Sequence, residues 1–193
     1  MSTNVSRPIY LAPFIATNLL DSKIISSNRD SRLTDFIYPA SGDPHKNHIN
    51  LIDAWVLLAK DGYFPTLTLT VDANSYPLLA SFISNQSIVH GLKINNVGVL
   101  GLEDLGVIYA ESRALIFPSL LESFGLPLLE ARSFQLKILA SELDYVRDVV
   151  VPDITFNPLS PLSISRAVKR FLDISEPSTQ VLSPSQFLKT ALG

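Results

Sequence analysis

Short apolar runs alternate along the chain with longer stretches in which apolar residues recur at helical spacing. The short runs predict β-strands and the longer stretches predict amphipathic helices. We predict strands at residues 35–39, 66–71, 97–102, 114–118, 137–141 and 154–156. We predict helices at residues 48–60, 77–84, 103–113, from 126 onward, 144–150 and 163–172. This alternation indicates βα units that form a parallel sheet.

The clearest helix is the one predicted at 48–60, because Asp61 and Gly62 follow it and glycine commonly ends a helix. Its expected buried face comprises Ile49, Ile52, Trp55, Val56 and Ala59. The predicted strand at 114–118 is apolar throughout, as expected of a strand that is covered on both faces of a sheet.

The length of 193 residues favours one domain. We predict a single Rossmann-like α/β domain at 31–175, with a mostly parallel sheet and helices on both faces. Residues 1–30 are interpreted as a linker, and residues 176–193 as a tail with a candidate short helix at 186–191. In such sheets ligands bind at the carboxyl ends of the strands, so the loops after Pro39 and Pro118 are the candidate site.

Composition narrows the class of protein. Hydrophobic residues make up 47% of the chain, which indicates a globular protein. The net charge is −3 and the 15 Lys and Arg residues are scattered, which argues against nucleic-acid binding. The chain has no cysteine, hence no disulfide or thiolate zinc site, which fits a cytoplasmic location. The apolar run at 9–16 is too short to span a bilayer, so we predict no transmembrane segment and leave peripheral membrane contact open.

The strongest chemical signal is the strand–loop–helix segment at 114–131. Gly125 allows close approach of the backbone to a ligand, and the helix that begins at Leu126 offers free N–H groups to an anion such as a diphosphate. Glu130 lies about one turn inside that helix, where its carboxylate suits the two hydroxyls of a ribose. Glu122 precedes the helix and suits the hydroxyls of a sugar on the other side of the phosphates. The plainer alternative is that both acids are solvated surface residues.

This segment resembles the E-x-x-x-x-x-x-x-E signature of group 1 (family 4) glycosyltransferases, including its Phe-Gly-Leu-Pro centre and the preceding Pro118-Ser119. In that family the first Glu contacts the donor sugar and the second contacts the ribose. The resemblance therefore implies that Glu122 is the catalytic-site acid and that Glu130 binds ribose.

A second segment, 38–47, resembles the first donor loop of the same family, usually G-R-L-x-x-x-K-N. Lys46 matches the phosphate-binding Lys, whereas Ser41 stands where the family usually has an Arg, which removes one cation. Lys46 could instead be a solvated residue near a helix start. The residues assigned to donor binding under this resemblance are Lys46, Ser123, Phe124, Gly125, Leu126 and Glu130.

His45 and His48 have a spacing that a metal pair could use, but no third ligand cluster accompanies them, so we interpret them as polar loop residues and predict no metal site. Weaker similarities to the family occur at 97–113, 140–149 and 156–168, so the resemblance covers about 35–172.

Members of this family have the GT-B fold, in which an N-terminal domain holds the acceptor and a C-terminal domain holds the donor. The chain matches only the second. The resemblance implies transfer of a glycosyl group from a nucleotide diphosphate sugar to an acceptor hydroxyl, with retention and without a metal or other cofactor, in polysaccharide or glycolipid biosynthesis. It also implies that residues 1–30 are the remnant of the inter-domain connection. An acceptor domain or partner chain would then be missing, so that the isolated chain is inactive.

Two other functions stay open. A non-catalytic nucleotide-sugar-binding module or subunit would tolerate Ser41 in place of Arg. A sugar-nucleotide epimerase of the same architecture would share the fold. The chain lacks a P-loop, a G-x-G-x-x-G fingerprint after its first strand and an ordered Ser-His-Asp set, which argues against those other classes.

Overall fold

The computed structural model describes residues 33–175, together with Ser183 and Leu188. The strands are β1 (Thr34–Tyr38), β2 (Leu67–Leu69), β3 (Ile94–Asn96), β4 (Ser112–Phe117), β5 (Lys137–Ser141) and β6 (Ile154–Phe156). The helices are α1 (His48–Lys60), α2 (Pro77–His90), α3 (Leu102–Glu111), α4 (Leu126–Ser133), α5 (Asp144–Val149) and α6 (Pro161–Phe171), with a short 3-10 helix at Pro44–Lys46.

The six strands form one sheet in the order β3-β2-β1-β4-β5-β6, and every neighbouring pair is parallel. In the centre, Phe36 of β1 lies opposite Leu67 on one side and Ala114 on the other. β1 lies in the middle of the sheet. β2 and β3 follow on one side of β1, and β4, β5 and β6 lie on the other side. The predicted α/β fold is confirmed, with a sheet that is parallel throughout.

Right-handed crossovers place α1 and α2 on one face of the sheet and α3, α4 and α5 on the other. The contacts agree with this arrangement, because α1 packs against α2 and α6, and α4 packs against α5. Helices therefore cover both faces, as predicted. Among the described residues, no helix is long and apolar enough to cross a membrane.

The core is built from the strands together with helices α1 to α6, and its largest aromatic side chains include residues of β1 and α1. Phe36, Ile37 and Tyr38 of β1 are fully buried, which explains why this strand is apolar on both faces. Trp55 of α1 meets Phe36 edge-on at 5.5 Å between ring centroids. The indole nitrogen of Trp55 donates to the carbonyl of Pro65, so the largest buried side chain keeps its polar atom bonded.

The prediction of a strand at 97–102 is wrong. The third strand is β3 at Ile94–Asn96, and the apolar residues after it form a loop in which Gly98 has a φ of 75°. Val99 and Leu100 line a surface cleft, so these side chains are apolar without pairing in the sheet. A short apolar run by itself does not distinguish the two situations.

Other boundaries also differ. α2 continues to His90, past its predicted end at 84, because the first left-handed glycine after it is Gly91. α6 begins earlier than predicted, where Ser160 caps it by accepting from the Ser163 N–H. Ile49 is half exposed, although we expected it on the buried face of α1. The predicted connection at 1–30 and tail at 176–193 lie outside the described residues, apart from Ser183 and Leu188, the latter helical.

Candidate functional site

Two loops meet at the carboxyl edge of the sheet because β1 and β4 are adjacent and parallel. One loop follows Tyr38 and carries Lys46, and the other follows Phe117 and carries Glu122. The ammonium of Lys46 contacts both carboxylate oxygens of Glu122 at 2.7 Å. Their side chains are only 17% and 9% exposed, so this is a largely buried ion pair.

The backbone at Lys46 is held by its neighbours. Tyr38 donates its hydroxyl to the Lys46 carbonyl at 2.8 Å. The next residue, Asn47, adopts a left-handed conformation with φ 63°. The Asn47 amide donates to the carbonyls of Pro118 and Pro158 at 3.0 and 2.8 Å. The first loop is therefore tied to the second loop.

Glu122 is held by its own loop. The Ser119 hydroxyl donates to Glu122 Oε1 at 2.6 Å. The carbonyl of Ser119 in turn accepts from the hydroxyls of Ser141 and Tyr145, at 3.0 and 2.7 Å. Burial, assisted by the negative charge of Glu122, raises the pKa of Tyr145, so this phenol stays protonated and able to donate.

The start of α4 has the geometry expected of an anion site. Gly125 precedes the helix with φ 75°, and an added Cβ would lie 3.0 Å from Leu128 Cδ1, so this position favours glycine on both counts. Among the described residues, no side chain caps this N-terminus. Pro127 has no N–H and the Leu128 N–H donates to the Gly125 carbonyl at 3.0 Å, so this terminus offers a ligand chiefly its positive dipole end.

Glu130 lies inside α4 and contacts a buried tyrosine of α3. Tyr109 donates its hydroxyl to Glu130 Oε2 at 2.8 Å. The Tyr109 ring is 1% exposed and stacks on Phe134 at 5.3 Å between centroids. Burial, assisted by the charge of Glu130, raises the pKa of Tyr109 well above its usual range, so its hydroxyl keeps its proton.

A cleft of about 520 Å³ lies beside these loops, within the size range of small-molecule sites. It is bounded by the ends of β1 and β2, by the loop before α3 and by the start of α4. Of the seven predicted site residues, Leu126 and Glu130 line this cleft, whereas Lys46, Glu122, Ser123, Phe124 and Gly125 do not. Lys46 and Glu122 instead form the ion pair.

A network on the cleft wall was not anticipated from the sequence. The hydroxyl of Ser41 donates to Asp43 Oδ2 at 2.6 Å, and Tyr76 donates to Asp43 Oδ1 at 3.1 Å. The Ser41 bond, then the Tyr76 bond, lowers the pKa of Asp43. An added Cβ at Gly42 would lie 2.3 Å from Tyr76 Cγ, so only glycine fits there without rearrangement. Ser41 and Tyr76 line the cleft, and Ser41 is already engaged.

His45 and His48 differ in their burial. His45 is exposed, whereas His48 is 2% exposed as the first residue of α1, so its interpretation as a polar loop residue was wrong. Neither ring nitrogen of His48 has a partner among the described residues, and burial lowers its pKa to about 4. Within 33–175, no group of three or more His, Asp or Glu residues is placed to hold a metal.

The sequence profile of the family described as glycosyl transferases group 1 matches residues 21–181, which is most of the chain. The chain belongs to this family. O-antigen chain mannosyltransferase B of Escherichia coli is 29% identical over 124 residues, which cover 59% of this chain and 30% of that protein. The serotype-specific mannosyltransferase WbdA of Escherichia coli is 36% identical over 75 residues, covering 38% of this chain and 9% of WbdA.

Solved structures agree on the fold. A glycosyltransferase from Rickettsia africae ESF-5 matches with a TM-score of 0.68 at 15% identity, over 81% of this chain and 45% of that one. The C-terminal domain of the group 1 glycosyl transferase family protein LpcC from Francisella tularensis matches with a TM-score of 0.60 at 18% identity, over 75% of this chain and 80% of that domain. The family and fold predicted from the sequence are confirmed. The roles of the individual site residues stay predictions.

Proposed function

We propose that this chain is the donor-binding domain of a glycosyltransferase that uses a nucleotide diphosphate sugar. The observation that carries the proposal is the Lys46–Glu122 ion pair, formed by the two loops that bear the family's donor motifs. Next to it along the chain are the uncapped start of α4 and the cleft that Glu130 lines. A cation, a helix N-terminus and two carboxylates match the phosphates and the two sugars of such a donor.

The cleft accommodates the nucleoside. Glu130 accepts hydrogen bonds from the ribose hydroxyls through the carboxylate lone pairs that Tyr109 leaves unoccupied. Val99, Leu100 and Leu105 supply apolar surface for the base. The diphosphate then reaches the N-terminus of α4, where the positive dipole end offsets its charge.

Lys46 and Glu122 exchange partners when the donor binds. The Lys46 ammonium leaves Glu122 and binds the diphosphate. It thereby supplies positive charge to the leaving group without a metal. Glu122 keeps the hydrogen bond from Ser119 and accepts further hydrogen bonds from the hydroxyls of the transferred sugar. Transfer to the acceptor hydroxyl then proceeds with retention, the outcome that the family resemblance implies.

The acceptor is held by a part of the enzyme beyond these residues. The chain spans 30% of mannosyltransferase B and most of a solved C-terminal domain, which supports its assignment as the donor half of a two-domain enzyme. Holding the two reactants together supplies about 7–11 kcal/mol of the barrier reduction. The chain without an acceptor wall therefore binds its donor but does not transfer the sugar.

Calorimetry with UDP, GDP and ADP, and with their mannose and glucose conjugates, tests the proposal in excess EDTA. We expect the nucleotides of one base to bind with a dissociation constant on the order of 10 μM to 1 mM, because only half of the enzyme's cleft contributes contacts. Binding that requires added magnesium or manganese would overturn the metal-free site, and no binding under either condition would overturn the donor site.

A non-catalytic binding subunit is the second candidate. The observation that favours it is Ser41 at the usual Arg position, bonded to Asp43, which adds a negative charge where the family has a positive one. Adding the chain that carries the acceptor domain distinguishes the candidates. Transfer that appears on mixing supports the donor half of an enzyme, whereas donor binding without transfer supports the binding subunit.

A further inference from the structure

We propose that Tyr109 is a positioning residue that presents Glu130 to the ribose of the donor and thereby sets selectivity for ribonucleotides. This inference rests on the proposed function, because it assigns to Glu130 the ribose contact. The juxtaposition that carries it is the bond from the Tyr109 hydroxyl to Glu130 Oε2 at 2.8 Å, made by a nearly buried phenol to a carboxylate at the cleft.

The two residues approach from different helices. Tyr109 lies in the last turn of α3, and Glu130 lies in the middle of α4. The Tyr109 ring is fixed by stacking on Phe134, with an interplanar angle of 14°. The hydroxyl therefore has a defined place, and the carboxylate that accepts from it is restricted in turn.

The two oxygens of Glu130 therefore differ in the hydrogen bonds that they can accept from a ligand. Oε2 is engaged by Tyr109, and no other donor within residues 33–175 reaches this carboxylate. A carboxylate offers about four lone-pair sites, so Oε1 and one site on Oε2 remain for a ligand. Two neighbouring hydroxyls match these sites, whereas a sugar that lacks them leaves Glu130 Oε1 without a hydrogen bond from the ligand.

The hydroxyl of Tyr109 is not required for packing. The ring is covered by Phe134 and by the core, and the ring of a phenylalanine would fill the same space. Tyr109→Phe therefore removes the bond to Glu130 and preserves the stack. Without that donor, the Glu130 side chain gains freedom that ribose binding must then restrict.

The test compares affinities for two ligands that differ only in the ribose. The nucleoside diphosphate that binds this chain best, from UDP, GDP and ADP, is titrated by calorimetry beside its 2′,3′-dideoxy counterpart. We expect Tyr109→Phe to weaken binding of the ribonucleotide about three- to tenfold and to leave the dideoxy compound unchanged. Tyr63→Phe, which removes the hydroxyl of an exposed tyrosine outside the cleft, is the matched control and should change neither affinity.

Two further variants separate positioning from structural damage. In Glu130→Gln the ribonucleotide advantage should already be reduced, and adding Tyr109→Phe should lower it by much less than in the wild type. Equal loss for both ligands in Tyr109→Phe would show a structural role and overturn the inference, with the nucleotide site intact. Absence of binding of either ligand to the wild-type chain would overturn the donor site together with this inference.

Discussion

Replacing Glu122 by Gln is expected to strengthen the binding of a plain nucleoside diphosphate. In the free chain Lys46 is engaged by both oxygens of Glu122. Under the partner exchange proposed above, the diphosphate must draw Lys46 away from Glu122. The amide of Gln keeps the size of the side chain and an oxygen that can accept from Ser119, but it removes the competing negative charge. Glu122→Gln therefore tests whether the carboxylate competes with the diphosphate for Lys46, while the packing of the loop is preserved.

The magnitude follows from the burial of the pair. With exposures of 17% and 9%, the contact is stronger than a surface ion pair, which contributes less than about 1 kcal/mol. A contact that opposes ligand binding by about 1–2 kcal/mol predicts a gain in affinity of roughly five- to thirtyfold. The free variant should also unfold more easily, by roughly 2–4 kcal/mol, because a largely buried Lys46 loses its partner.

Calorimetry with the nucleoside diphosphate and with its sugar conjugate provides the measurement. The conjugate should lose its advantage over the plain diphosphate, because the sugar hydroxyls lose a carboxylate acceptor. Glu142→Gln makes the same change of charge at an exposed carboxylate paired with Arg147, and should leave both affinities as they are. A Glu122→Gln chain that binds the plain diphosphate no better than the wild type would refute the partner exchange.

Three further predictions follow from the same geometry. Glu130→Ala should weaken binding of a plain nucleoside diphosphate about ten- to a hundredfold, whereas Glu122→Ala should not weaken it; equal losses in calorimetry would contradict the two assignments. His48 has a pKa of about 4 in the folded chain against an ordinary 6.5, so between these pH values the unfolded chain binds more protons than the folded chain. The free energy of unfolding should therefore fall by roughly 3 kcal/mol as the pH drops from 6.5 to 4. His48→Leu should abolish most of that pH dependence in urea unfolding, and an unchanged slope would show that another group is responsible. The chain alone, incubated with its best donor and a panel of sugar and lipid acceptors, should give no glycosylated product, and turnover of about one per second or faster would show a complete active site.

The alternation of apolar runs and amphipathic stretches was sufficient to predict the α/β class and most of the elements. α1, β5 and β6 have the predicted bounds, because a clear helical period and a short apolar run are local properties. The candidate loops also followed from the sequence, since ligand sites in such sheets lie at the carboxyl ends of strands. The motif at Glu122 and Glu130 was sufficient to indicate the family.

The contacts inside the site depended on the tertiary structure. Lys46 and Glu122 are 76 positions apart, and they meet because the chain returns to the centre of the sheet, where β4 pairs with β1. The same applies to Tyr109, which helical spacing cannot distinguish from an ordinary core residue until α4 brings Glu130 to its hydroxyl. Local periodicity reports which face of an element is buried, whereas the partner of a polar atom depends on the order of the strands.

The misassigned residues have the same explanation. Val99 and Leu100 were assigned to a strand because they are apolar, yet they line the cleft; His48 was assigned to a polar loop because it is polar, yet it is buried beside the ring of Tyr38. In both cases the chemical type of the side chain was known from the sequence, and only packing decided whether it faces the core or the cleft. That difference arises because burial is set by neighbours that are distant along the chain.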